Sequence, residues 1–162
     1  MWQGSQVDYA YTAKATDLAG NTSIEVRTFE VIYGSAFDGI RQPINSNGTS
    51  NFKLGSTIPV KFRLLHPDGT PIDNAMAHLW IHKAGTSSGA VNEAVSTANA
   101  GTGNEFRYDL TSGQYVFNLS TKAGHVYTNP NGQPVHVEEG KWTLIIALDD
   151  GTNRTVDIDI RN

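Results

Sequence analysis

At 162 residues with 38% hydrophobic content, the chain is long enough to bury one good core, or one domain and part of another. A formal charge of -4 leaves no basic footprint for nucleic acid, nothing approaches the length of a transmembrane helix, and zero cysteines exclude disulfides and thiol catalysis. Only 17% of residues are charged and the polar ones are rich in Thr, Asn and Gly, a composition that suits the outside of a cell. No basic stretch followed by an apolar run opens the sequence, so any signal peptide of the parent protein is expected to lie outside it.

Taken in order, Val7, Tyr9, Tyr11 and Ala13 alternate with Asp8, Thr12 and Lys14. The turn cluster Asp17-Leu18-Ala19-Gly20-Asn21 follows, then a β-branched run from Ser23 to Tyr33. Two such runs joined by a Gly/Asn turn predict a hairpin. A hairpin alone is marginally stable in water, so it needs a partner. It can dock on residues 35–162 and extend a sheet there, or pair with the same hairpin of a second molecule. Docking within one chain avoids the entropy cost of association and is the expectation.

Gly34 to Gly55 reads as a long connection anchored by Phe37 and Ile40, with a loop at Asn45-Ser46-Asn47-Gly48-Thr49-Ser50. Thr57 to Leu64 then alternates Ile58, Val60, Phe62 and Leu64 against Thr57, Lys61 and Arg63, the period of a half-buried strand. Pro59 cannot donate to a ladder and belongs near the strand's start or at a sheet edge. His66-Pro67-Asp68-Gly69 is a turn. In Ala75 to Lys83, Ala77, Leu79 and Ile81 share one face and Met76, His78, Trp80 and His82 the other.

Ala84 to Asn104 reads as a long loop with a turn of helix at Asn92-Glu93-Ala94-Val95. Phe106–Leu110 and Gln114–Leu119 predict a second hairpin, and Asn129 to Pro134 another turn. Lys141 to Leu148 is apolar on both faces and reads as a central strand. Asp149-Asp150-Gly151-Thr152-Asn153 turns the chain into a last amphipathic strand, Val156 to Ile160. No segment sustains helical periodicity. Many short strands with turns between them predict an all-β, Ig-like Greek-key sandwich of two antiparallel sheets.

Two stretches carry a family resemblance. Tyr9 to Thr22, with its Thr16-Asp17-Leu18-Ala19-Gly20-Asn21 turn, resembles the closing strands of bacterial Ig-like repeats. On that reading residues 1–34 are the C-terminal hairpin of a truncated repeat or an extra hairpin docked on the main module. Gly55-Ser56-Thr57-Ile58-Pro59-Val60-Lys61-Phe62 resembles the opening of the PxKF-type module. Gly113-Gln114-Tyr115, Gly140-Lys141-Trp142-Thr143-Leu144 and Asp150-Gly151-Thr152 are similar to that family's later elements, in order. Residues 35–162 would then form the module. The resemblance implies a secreted or cell-surface bacterial protein, neighbouring domains of the parent chain as partners, and no catalysis. The paired cysteines of many members are missing here, and the Ala84–Asn104 loop is particular to this chain.

Candidate chemistry is sparse. Trp80, Tyr108 and Tyr127 could form a platform stacking on a pyranose, which makes polysaccharide the partner in a carbohydrate-binding alternative. His78 and His82 share a face, but strand residues i and i+4 sit roughly 13 Å apart, too far for one zinc. Asp17, Asn21, Asp149 and Asp150 offer oxygen ligands for Ca²⁺, although such residues abound in turns without metal. Lys61 and an Asn or Asp of the last strand resemble the partners of an isopeptide bond, but Lys61 lies on the polar face. Glu138 and Glu139 point to opposite faces of an extended chain, unlike a glycosidase pair. No Gly-x-Ser-x-Gly elbow, His-Glu-x-x-His or phosphate loop occurs. The reading is a non-enzyme without cofactor or resident metal. It acts as a spacer, stabiliser or adhesion surface, or alternatively as a carbohydrate-binding module appended to a polysaccharide-degrading enzyme.

Overall fold

The alternating runs become strands. The computed structural model describes residues 8–30, 33–83, 86, 88–91, 103–122, 126–128 and 134–162, and every regular element among them is a β-strand. In chain order these are β1 (Asp8–Thr16), β2 (Thr22–Glu30), β3 (Phe37–Ile40), β4 (Ser50–Lys53), β5 (Thr57–Leu64), β6 (Ala77–Lys83) and β7 (Gly89–Ala90). They continue as β8 (Arg107–Asp109), β9 (Gln114–Ser120), β10 (Val126–Thr128), β11 (Pro134–His136), β12 (Gly140–Leu148) and β13 (Asn153–Arg161).

Two sheets make the sandwich. One has the order β11-β10-β7-β6-β12-β13-β4, the other β3-β5-β9-β8. Neighbours such as β5 with β9 and β6 with β12 are far apart in sequence, the crossing of a Greek key. Among the described residues every strand pairing is antiparallel except one: β4 runs parallel to β13. The expected sandwich of two antiparallel sheets is present, with this one parallel pair at the edge of the larger sheet.

The core lies between the sheets. In β5 the side chains of Ile58, Val60, Phe62 and Leu64 are buried, while the alternate ones are half-exposed. Leu79 and Ile81 of β6, Trp142, Leu144 and Ile146 of β12, and Ile158 of β13 join them in one cluster with Tyr115 and Phe117 of β9. Phe62 stacks on Tyr115 at 4.8 Å and meets Phe106 edge-on at 5.1 Å. β12 lies between β6 and β13, as its two apolar faces imply. Pro59 is tolerated because β3 covers β5 only from Phe62 to Leu64, which leaves Pro59 one open side.

Three readings change. The Gly34–Gly55 connection is not continuous loop: it contains β3 and β4. Together these form one descending line that starts on β5 and, after residues 41–49, continues on β13 in the opposite sheet. Within Ala84–Asn104, β7 adds two residues to the sheet beside β6, and the expected helical turn at 92–95 lies outside the described residues, as does most of the 129–134 turn. The hairpin β1–β2 forms in register, with Tyr11 opposite Arg27 and Thr12 opposite Val26, but it extends neither sheet of the sandwich. Every described side chain from Ala10 to Thr28 is exposed, Ile24 at 61% and Tyr11 at 57% among them.

Candidate functional site

A groove opens at one rim of the sandwich, where the chain leaves one sheet for the other. One wall is Asp73-Asn74-Ala75-Met76, the approach to β6; the other is Glu105-Phe106-Arg107-Tyr108, the approach to β8. Tyr115 lies between them, and the open groove has a volume of about 490 Å³. That is within the range of small-molecule sites.

Both walls are fixed by hydrogen bonds rather than by strand pairing alone. The Tyr115 hydroxyl donates to the Ile72 carbonyl at 3.0 Å and accepts from the Ala75 N–H at 2.9 Å. The opposite wall is laced to β6: Phe106 N–H donates to the Ala77 carbonyl at 2.8 Å, and Leu79 N–H to the Asn104 carbonyl at 2.8 Å. Beneath them Phe106 packs on Phe117 at 5.4 Å, and Tyr108 meets Tyr115 edge-on at 5.1 Å. The floor is thus a packed aromatic layer, and the rim carries Asp73, Asn74, Glu105 and Arg107. Burial pushes the Tyr115 hydroxyl up to about 12, the Ala75 N–H opposing in part. It stays a neutral donor at ordinary pH. Such a groove can hold a small polar ligand against Tyr108.

Of the three residues proposed from sequence as a stacking platform, Tyr108 and Trp80 lie in different sheets. Tyr108 lines the groove, in β8 of the four-stranded sheet. Trp80 belongs to β6 of the other sheet, on its half-exposed outer face, opposite Ile145 and Ala90. Tyr127 is in β10, its backbone opposite Val135; its side chain lies outside the described residues. The groove's polar residues carry no joint signal in the sequence, because they come from segments about thirty residues apart that share no periodicity.

The other candidates serve local structure. The Asp17 carboxylate accepts from the N–H groups of Ala19 and Asn21 and from the Asn21 side chain, each at 2.9 Å. These bonds, the Asn21 side chain's first, hold its pKa below the usual carboxylate range. Asp150 accepts from Thr152 N–H at 2.9 Å and Thr152 Oγ1 at 2.7 Å, and from the N–H of Tyr33. Among the described residues no three His, Asp or Glu side chains gather to hold a metal. Lys61 in β5 and the last strand, β13, sit in opposite sheets, and Lys61 faces outward, so the strand pair an isopeptide bond would need does not form. Lys83 pairs with Glu138 at 2.6 Å and lies over the Trp142 ring at 5.7 Å.

No protein-family model matches the chain, and no curated protein sequence matches it. Among solved structures it is similar to domains 4 and 5 of the S-layer protein SbsC, with 15% identity and a TM-score of 0.41 over 87% of this chain and 65% of that one. It is also similar to a beta-glucosidase from Listeria innocua, with 9% identity and a TM-score of 0.37, over 96% of this chain and 16% of that one. The chain spans less than two thirds of the length of each of these two structures.

Proposed function

We propose that the chain is a non-catalytic Ig-like module of a secreted or surface-attached bacterial protein, and that it serves as a structural spacer between neighbouring domains. The observation that carries this reading is where the chain comes into the sandwich and where it leaves. It arrives at Tyr33, whose N–H is held by Asp150 and whose carbonyl accepts from Arg154 Nη2 at 3.4 Å. Asp150 and Arg154 stand at the turn and start of β13. The chain leaves at the far end of the same strand, past Arg161. Arg161 lies seven positions beyond Arg154, roughly 23 Å along an extended strand. A domain joined at each side is thereby held apart by the long axis of the module. Two copies fused end to end should give a small-angle scattering profile whose maximum dimension grows by about one module length. A tandem that stays compact would overturn the spacer reading.

The groove favours a second reading, a carbohydrate-binding module appended to a polysaccharide-degrading enzyme. An aromatic ring beside carboxylate, amide and guanidinium groups suits the CH face and hydroxyls of a sugar. A glycan array or insoluble-polysaccharide pull-down tests it. Binding abolished by Tyr108→Ala, with folding intact, supports the groove; binding abolished only by Trp80→Ala moves the site to the outer sheet face; no binding at all removes the reading.

A further inference from the structure

We infer that the parallel pair β4–β13 is a force-bearing clamp that resists tension along the module; this rests on the spacer reading and deepens it. A spacer between anchored domains is pulled at its two ends. What it resists depends on how the strands that receive the pull are paired.

The two strands that carry the load point the same way. β4 pairs with β13 through Ile158↔Ser50, Asp159↔Asn51, Ile160↔Phe52 and Arg161↔Lys53. Below the last rung, Leu54 N–H donates to the Arg161 carbonyl at 2.7 Å. Tension from the C-terminal side reaches β13 at Arg161, its lower end. Tension from the N-terminal side passes Tyr33 and β3, then arrives at Ser50, the upper end of β4. Parallel neighbours pulled from opposite ends slide along each other. All the rungs are then loaded together, and none can break ahead of the rest. Pulled from the same end, the same rungs would open one at a time.

The upstream path is itself pinned in steps. The Tyr33 contacts with Asp150 and Arg154 come first. β3 follows, held on β5 by Phe37↔Leu64 and Ile40↔Phe62 and by Arg63 on Asp38 at 2.8 Å. Ile44, buried in the core, anchors the 41–49 connection just before β4. Within the same chain, β1–β2 provides the opposite case. Its two strands are joined at Asp17–Asn21 and pulled from the other end, so its nine paired positions unzip in sequence.

Single-molecule pulling on the full chain tests the clamp. Handles at the two ends load β4 and β13 in shear. The chain has no native cysteine, so Lys53→Cys gives a unique attachment, and pulling between residue 53 and the C-terminus peels the same pair from one end. The expected result is a rupture force several-fold higher for end-to-end pulling than for the peeling geometry, with β1–β2 opening earlier at low force. Equal forces in the two geometries would overturn the clamp. Leu54→Pro, which removes the Leu54 donor, should lower the end-to-end force; a folded variant with unchanged force would also overturn it. Failure of the spacer is read separately: an elongated tandem with equal forces rejects the clamp alone, and a compact tandem with unequal forces rejects the spacer while supporting the clamp.

Discussion

Single side chains set both the rigidity of the groove and the stability of the core. Tyr115 does both: its ring lies in the aromatic layer and its hydroxyl joins Ile72 to Ala75. Tyr115→Phe keeps the ring but leaves the Ala75 N–H without its acceptor, a loss of about 1–3 kcal/mol by the cost of an unsatisfied buried donor. Chemical denaturation reads that loss directly. The hydroxyl also links stability to alkaline pH. Burial raises its pKa in the folded chain from 10.0 to about 12, so between those values the unfolded chain releases the proton and the folded chain keeps it. The stabilisation is complete below about pH 10 and is lost as pH rises toward about 12. Melting temperature should fall more steeply over that window in the wild type than in Tyr115→Phe; parallel curves would remove the role of this hydroxyl. Phe62 and Trp142, fully buried in the same cluster, should each cost roughly 3–5 kcal/mol on replacement by alanine. Asp17 and Asp150 spend their carboxylate oxygens on nearby N–H and hydroxyl groups. EDTA should accordingly leave the melting temperature unchanged, and a calcium-restored drop would show that these turns hold an ion.

Strands and hairpins reveal which signals were legible in the sequence. β5, β6, β9, β12 and β13 could be read because each is seven residues or longer and either alternates, as β5, β6 and β13 do, or carries apolar side chains on both faces, as β9 and β12 do. β3 and β4 could not. Each is four residues long, carries Gly39 or Ser50 and Asn51 in place of β-branched side chains, and is a strand only because β5 and β13 offer it an edge. Tertiary pairing overrides weak local preference there. The groove was illegible for a related reason: Tyr115 and β6 bring together two wall segments that no pattern in the chain connects. The hairpin β1–β2 was legible as an element, and it forms a sheet of its own instead of adding to either sheet of the sandwich. Its register places Ile24 and Val26 away from Tyr11, so apolar side chains stand exposed on both faces. Deleting residues 1–32, which keeps Tyr33 and its bond to Asp150, should therefore leave the melting temperature of the sandwich nearly unchanged in calorimetry. A marked drop would mean that the hairpin supports the module after all.

At the scale of the whole molecule, both sheets share one hydrophobic cluster, from Ile44 and Ile58 on one side to Leu79, Trp142 and Ile158 on the other. Among the described residues neither sheet has a second apolar layer of its own, so peeling one off would expose the inner face of the other. At about 25 cal/mol for each Å² of apolar surface, that exposure is too costly for a half-open state to be populated. The sandwich should unfold in a single cooperative step. Two probes can follow it independently: far-UV circular dichroism reports strands in both sheets, and tryptophan fluorescence reports the seven-stranded sheet, because Trp80 and Trp142 lie in β6 and β12. The third tryptophan, Trp2, precedes the hairpin, and the deletion of residues 1–32 removes its signal along with the hairpin's own opening. In that shortened chain the urea midpoints from the two probes should coincide. A fluorescence transition that precedes the loss of circular dichroism would mean that the seven-stranded sheet loosens first, and that the core is divided where the contacts between the sheets make it continuous.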